Sequence, residues 1–296
     1  MKTILDCIFA TLFVVSVLCE PDTLIRVSVY PDVGLGNTFK SFISALSINP
    51  NTKIAPQDFP TGNFDTILQS KFIFQQSDSM RYSIIDLDCW RWRVLAEEEA
   101  VQKTFENDFS TMHFCSSSLG GRFSSKVQID YNYNRSRISE IVYNRITKTI
   151  SKIEFLDVIT SAVNKITASF DNALAVSVRT WTAKHEQNVG RTYSFDEYAV
   201  AISRMLRENP NINTVFLSVD NDAVFPQFEM FLSRYSHLKV FSLFARSDEN
   251  LNYLQRAMVK ILVMSKCRYF ICNRISTFSE LVFWFSGCSQ DVIPLM

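Results

Sequence analysis

ALAVSVR at Ala173–Arg179, TVFLSVD at Thr214–Asp220 and RYFICN at Arg268–Asn273 are short apolar runs that each close on a polar residue. Strands buried on both faces of a sheet have this continuity. Helical patterns lie between them. Ser194, with Glu197 three residues on, makes a capping box. Phe195, Tyr198, Ala199, Ile202, Met205 and Leu206 then recur on one helical face until Asn209-Pro210 stops the pattern. Phe225–Tyr235 predicts a second helix, with Phe228, Phe231, Leu232 and Tyr235 inward, and Lys239–Phe244 a further strand. Asn250 to Ser265 predicts a third helix, with Leu251, Leu254, Met258, Ile261 and Leu262 on its face. Thr277 with Glu280 predicts the cap of a last helix carrying Phe278, Leu281, Val282 and Phe285. The order β-α-β-α-β-α-β-α with short connections predicts an α/β domain built on a doubly wound parallel sheet. Ligands of such sheets bind beyond the carboxyl ends of the strands, which here are Arg179, Asp220, Phe244 and Asn273.

The N-terminal half is less regular. Leu24–Tyr30 alternates like a strand and Asn37–Ile48 has a helical pattern, with Pro31-Asp32-Val33-Gly34-Leu35-Gly36 between them. YSIIDLDCWRW at Tyr82–Trp92 predicts another buried strand, Glu97–Phe105 a helix, Ser116–Ser125 a loop, and Ile150–Phe170 one helix linking the halves. A chain of 296 residues, 47% hydrophobic, can bury a large core and is long enough for two domains. The expected division is 20–170 and 171–296, after a leader at 1–19. Met1-Lys2 precedes an apolar stretch from Ile4 to Leu18 interrupted by Asp6, which leaves about 12 good residues where a membrane span needs roughly 20. Val17 and Cys19 suit a cleavage site. The expectation is a cleaved signal peptide and a place in the secretory pathway lumen or outside the cell, with membrane attachment only if the segment stays as an anchor. Five cysteines then remain (Cys89, Cys115, Cys267, Cys272 and Cys288), so at least one thiol is unpaired.

Composition excludes several functions. The chain has only 7 glycines, where a usual frequency of roughly 7% would give about 20. Gly34 and Gly36 are not followed by a glycine at 39, and no glycine precedes a lysine, so neither the dinucleotide fingerprint nor the P-loop is present. With 30 basic and 30 acidic residues, the net charge of zero argues against a nucleic-acid partner. His113, His185 and His237 are too far apart in sequence for a paired-histidine zinc motif.

Several stretches could carry chemistry. Gly34-Leu35-Gly36-Asn37 opens a helix and could bring backbone amides to an anion or sugar, or could simply be a tight turn needing positive φ. Arg179 at a strand end could grip a pyrophosphate through two N–H groups, or lie along the surface. In Asn273–Glu280 (NRISTFSE) the first-turn amides with Ser276, Thr277 and Ser279 could cradle phosphate without glycine, or form an ordinary cap. Asp220-Asn221-Asp222 and Asp86-Leu87-Asp88 have the D-x-D form that can hold a divalent metal. His185 and Glu186 lie in the polar loop after Arg179, where a general base could sit.

The order of these features resembles the superfamily of α1,6- and protein O-fucosyltransferases, rhizobial nodulation enzymes included. AVSVRT at Ala175–Thr180, followed by FDEY at Phe195–Tyr198, resembles the family's H-V-R-R-T-D segment and E-E-Y helix. VFLSVDN at Val215–Asn221 resembles its I-Y-L-A-T-D-D strand, and Leu262–Phe285 its region ending the donor domain. IIDLDCWRW and GLGN resemble its N-terminal segments more thinly. The resemblance implies a GT-B fold of two Rossmann-like domains, the C-terminal one binding the nucleotide-sugar donor. It also implies inverting transfer of fucose from GDP-fucose to a glycan or protein acceptor, without cofactor or essential metal. By position, Arg179 would bind the pyrophosphate and stabilise the leaving GDP, and Asp220 would contact guanine or ribose. Ser276, Thr277, Phe278 and Ser279 would hold the phosphates, Gly34, Gly36 and Asn37 would face the donor, and Glu186 would be the base, with Gln187 equally able to fall on that family position. Ser177 stands where the family has a histidine and Thr180 where it has a second arginine. A different nucleotide sugar, or a non-catalytic lectin-like protein on the same fold, are the alternatives these departures leave.

Overall fold

The computed structural model describes residues 22–27, 35–55, 63–87, 133–138, 140–181, 192–243, 250–274 and 276–295. The leader, Gly34, Phe244, the expected helix at Glu97–Phe105, the loop at Ser116–Ser125, Cys89, Cys115 and the loop with His185, Glu186 and Gln187 lie outside them. The chain divides into two compact units, Met1–Ile129 with Ser136–Leu156, and Asp130–Arg135 with Asp157–Met296.

In the first unit, β1 (Thr23–Val27), β2 (Lys53–Ile54) and β3 (Ser83–Leu87) form a parallel sheet in the order β2-β1-β3. Helix α1 (Leu35–Ile48) follows β1 and packs on α2 (Glu140–Ile150). Phe39 joins the core by stacking on Phe64 and Phe155 at 6.2 and 6.1 Å, and it meets Phe42 edge-on at 5.8 Å. Asp78 closes a short 3-10 turn at Gln76–Met80 through a capping box with Gln75, and Lys53 Nζ donates to its carboxylate at 2.7 Å.

The helix expected at Ile150–Phe170 is shorter than that span. Helix α2 ends at Ile150 and α3 spans Asp157–Thr167. After a turn at Ser151–Lys152, residues 154–156 pair with residues 67–69 of the same unit: Gln69 N donates to Glu154 O at 3.1 Å and Leu156 N to Ile67 O at 2.9 Å. A long-range pairing has overridden the helical pattern there. All of α2 before Ile150 lies outside the span in which the sequence predicts a helix.

The second unit holds the parallel sheet expected of the C-terminal half. Strands β4 (Ala173–Val178), β5 (Thr214–Val219), β6 (Lys239–Ser242), β7 (Tyr269–Asn273) and β8 (Asp291–Leu295) run in the order β6-β5-β4-β7-β8. Helices α4 (Phe195–Glu208), α5 (Phe225–Leu232), α6 (Tyr253–Ser265) and α7 (Thr277–Phe285) connect them. Every residue of β4, β5 and β7 is buried, as the continuous apolar runs require. Leu174, Val176 and Val178 on one face of β4 join Val215, Leu217 and Val219 of β5 in a core with Tyr198, Ile202, Met205 and Leu206 of α4 and Phe228 and Leu232 of α5. Full burial of an aliphatic side chain such as Ile202 contributes about 1.5–3 kcal/mol relative to exposure. α6 contacts β4, β5, α3 and α7 and contributes nothing to that core cluster, so it covers the opposite face.

The helix boundaries follow their caps. Ser194 and Glu197 make the expected box, and Asn252 with Gln255 makes another at the start of α6. On the last helix the cap is Ser276, whose hydroxyl accepts from Ser279 N at 3.4 Å, rather than Thr277. With the cap at Ser276 the third helical position is Ser279, and Glu280, one residue further on, is 1% exposed. Strand β8 was not expected, because Pro294 demotes DVIPL as a strand. It pairs with β7 at the sheet edge, Cys272 opposite Pro294, where one missing N–H is tolerated.

Candidate functional site at the strand ends of the C-terminal sheet

The chain leaves β4 outward through β5 to β6, then crosses back to lay β7 on the other side of β4. The order therefore reverses between β4 and β7, which pair at Val176 and Ile271. In open α/β sheets the crevice beyond the carboxyl ends of two such strands is where ligands bind. Arg179 follows β4, Asn273 ends β7, and Arg274 and the start of α7 follow it.

Three groups fix the end of β4. Tyr198, fully buried on α4, accepts a hydrogen bond from Arg179 N at 3.2 Å and donates to Ser177 O at 3.2 Å. Burial pushes its hydroxyl well above the usual tyrosine pKa, so it stays protonated. Next along, Thr180 N donates to both oxygens of Asp220 at 3.1 and 2.9 Å, and Thr180 Oγ1 donates to Oδ1 at 2.8 Å. Asp220 is exposed at the end of β5, so this clamp ties the two strand ends and holds a carboxylate at the mouth. The Arg179 guanidinium lies over the Trp181 ring, 4.8 Å from its centroid.

Lys260 reaches the same region from α6, donating to Val219 O at 2.9 Å. Burial holds its pKa below the usual lysine value, against the opposing pull of Asp222, with Arg256 lowering it further and Asp220 raising it. The Asp220-Asn221-Asp222 motif thus meets an ammonium group, and Asn221 spends its side chain on Ala223 N at 3.0 Å. Among the described residues no group of three or more His, Cys, Asp or Glu side chains is gathered closely enough to hold a metal ion.

Beyond β7, the first-turn amides of Thr277 and Phe278 have no acceptor within their own helix. Ser279 N is bound by Ser276 Oγ, and Glu280 N by Ser276 O at 2.9 Å. Thr277 and Phe278 are half-buried, while Ser279 is 0% exposed with its hydroxyl against the Cys272 thiol. The loop is steadied from a distant segment: Tyr133 OH donates to Arg274 O at 3.1 Å, and its ring meets Phe283 edge-on at 5.5 Å. Tyr133 holds a φ of 52°, a left-handed conformation uncommon for a bulky residue.

Of the residues singled out in the sequence, Arg179, Asp220, Ser276, Thr277, Phe278 and Ser279 fall at the carboxyl ends of β4, β5 and β7. Gly36 and Asn37 lie in the first turn of α1 in the other unit, and Gly36 is helical and buried rather than in a positive-φ turn. Asp86 is on β3. Tyr198, Thr180, Trp181 and Lys260 were missed. Lys260 had a signal, a lone charge between Met258 and Ile261 on the inner face of a helix. Thr180 had none beyond its place after Arg179.

No protein-family model and no curated protein matches the chain. Among solved structures, the fold is that of fucosyltransferases, a mixed α/β, GT-B-like architecture with parallel sheets of three and five strands. POFUT1 in complex with GDP (crystal form III) matches at 12% identity over 93% of this chain and 99% of that one, with a TM-score of 0.50. NodZ α-1,6-fucosyltransferase co-crystallised with GDP matches at 14% over 89% and 92%, with a TM-score of 0.49, and NodZ from Bradyrhizobium at 12% over 89% and 93%, with 0.48. At such identities the likeness is one of fold.

Proposed function

We propose that this protein is an inverting glycosyltransferase that moves fucose from GDP-fucose to a glycan or protein acceptor in the secretory pathway, without a metal. The observation that carries the reading is the position of Arg179 and the α7 N-terminus beyond neighbouring parallel strands, at the point where the strand order reverses. That POFUT1, whose fold this chain shares, was crystallised in complex with GDP supports a nucleotide donor here.

The chemistry needs two things from the protein. The departing diphosphate gains negative charge as the glycosidic bond breaks, and preorganised donors at that point lower the barrier by roughly 3–4 kcal/mol each. Arg179 and the amides of Thr277 and Phe278 are such donors, with the Thr277 hydroxyl beside them. The Asp220 carboxylate, oriented by Thr180, suits a ribose diol or a guanine N–H edge. The acceptor hydroxyl must lose a proton to a base, and Glu186 in the loop after Trp181 is assigned that role.

Thr180 favours a second reading. It stands where the family's second arginine would be, and its hydroxyl is committed to Asp220. A protein of this fold that binds a nucleotide sugar or glycan without transferring it fits that loss of charge. A screen of sugar release from GDP- and UDP-linked donors, with and without EDTA, separates the two. The proposal expects GDP-fucose to turn over fastest with EDTA harmless. GDP binding with no turnover of any donor selects the binding protein, and loss of activity in EDTA selects a metal-dependent enzyme.

A further inference from the structure

Trp181 is 57% exposed, unusual for a residue that is highly buried on average. Other exposed large apolar side chains sit on helix faces, such as Val200 on α4 and Met230 on α5. Trp181 instead stands just beyond the carboxyl end of the central strand β4, three residues after Val178. Its backbone follows two anchored residues, Arg179 bound through N–H to Tyr198 and Thr180 bound through N–H and hydroxyl to Asp220. The side chains that flank Thr180 meet: the Arg179 guanidinium carbon lies 4.8 Å from the Trp181 indole centroid, within the roughly 6 Å over which a cation is drawn to an aromatic face.

We infer that Trp181 is the positioning residue for Arg179, taking the guanidinium on its indole face so that the N–H edge is presented to a diphosphate. The inference rests on the proposed role of Arg179 and extends it to a residue that nothing else in the site requires. A long arginine side chain has many rotamers, and a partner that restricts them before the ligand arrives lowers the entropy lost on binding. Stacking engages one face of the guanidinium, and a planar two-point grip on phosphate oxygens uses N–H groups along its edge.

The test is calorimetric titration with GDP and, separately, with inorganic pyrophosphate, on the wild-type protein, Trp181→Leu, Trp181→Phe, Arg179→Ala and the double variant Arg179→Ala/Trp181→Leu. Leucine keeps an apolar side chain but removes the aromatic face; phenylalanine keeps the face. Trp181→Leu should weaken both ligands by about 3- to 5-fold, the strength of an exposed cation–π contact. Trp181→Phe should stay within about 2-fold of wild type. In the Arg179→Ala background, Trp181→Leu should add no further loss, because the two side chains act as a unit. An exposed residue should leave the melting temperature unchanged, which separates the effect from misfolding. Wild-type affinity in Trp181→Leu, or an equal loss with and without Arg179, overturns the inference while leaving the GDP reading standing. Pyrophosphate binding that depends on Trp181 in a protein that ignores GDP upholds it while removing that reading. No binding of either ligand by the wild-type protein overturns both.

Discussion

Replacing Tyr198 by phenylalanine removes one oxygen atom from the base of the candidate site. The ring is 0% exposed, and phenylalanine keeps its contacts, edge-on to Tyr193 at 6.3 Å and to Phe228 at 5.8 Å. What is lost is the hydroxyl that joins Arg179 N to Ser177 O. Two hydrogen bonds at about 1 kcal/mol each, with part of the penalty for leaving buried polar groups unpaired, give a loss of about 2–3 kcal/mol. For a domain of this size that lowers the melting temperature by about 4–10 °C. Because burial raises the hydroxyl's pKa above its ordinary 10.0, the contribution is complete below about pH 10 and declines as pH rises beyond it. The wild-type and Tyr198→Phe proteins should therefore differ by the same amount at pH 6 and pH 8, measured by circular dichroism on heating. A difference below about 1 °C would refute the reasoning, since a buried hydroxyl bridging two backbone groups cannot be that inert. The same variant should bind GDP more weakly, because the bond it loses holds the backbone of Arg179.

Other outcomes follow from the same contacts. Arg179→Ala should lower donor turnover at least about 100-fold, as loss of one charge-stabilising donor does elsewhere, read from steady-state release of GDP. Asp78 is buried, which raises its pKa, but the hydrogen bonds from Lys53 and Gln75 and the charges of Lys53 and Arg81 outweigh burial and hold it below its ordinary 3.8. Its stabilisation is thus present above about pH 4 and lost as pH falls through the depressed value. Asp78→Asn should cost about 1–2 kcal/mol in urea unfolding at pH 7, and the gap to wild type should narrow at pH 3; a gap independent of pH contradicts the pairing. Cys267, Cys272 and Cys288 are free and buried, and burial pushes all three thiols up, Cys272 to about 12. Thiol reagents should label them only after unfolding, when peptides are read by mass spectrometry. A disulfide among them, or rapid native labelling, would contradict the packing.

Legibility in the sequence tracked how local the deciding forces are. β4, β5 and β7 announce themselves because a strand buried on both faces must be apolar throughout, and α4 because Ser194, Glu197 and a regular face fix its start and phase. The strand-end positions of Arg179 and Asp220 were legible for a related reason, as polar residues closing such runs, and Ser276 as a hydroxyl at the start of a helix. The break between α2 and α3 was invisible because it depends on residues 67–69 pairing with 154–156, far away in sequence. Strand β8 was hidden by a proline that only an edge position allows. Tyr198 was read as core, which it is, yet its hydroxyl is the pin beneath Arg179. Trp181 carried no pattern at all, being one aromatic residue in a polar loop. Its meaning comes from the guanidinium stacked on it.

The central claim is that a nucleotide diphosphate binds where β4 and β7 end. A crystal structure of the protein with GDP tests it most directly. The account predicts diphosphate oxygens on the Arg179 guanidinium and the amides of Thr277 and Phe278, with ribose or guanine within hydrogen-bond distance of Asp220. GDP bound elsewhere, or a diphosphate that touches neither Arg179 nor the start of α7, would contradict it.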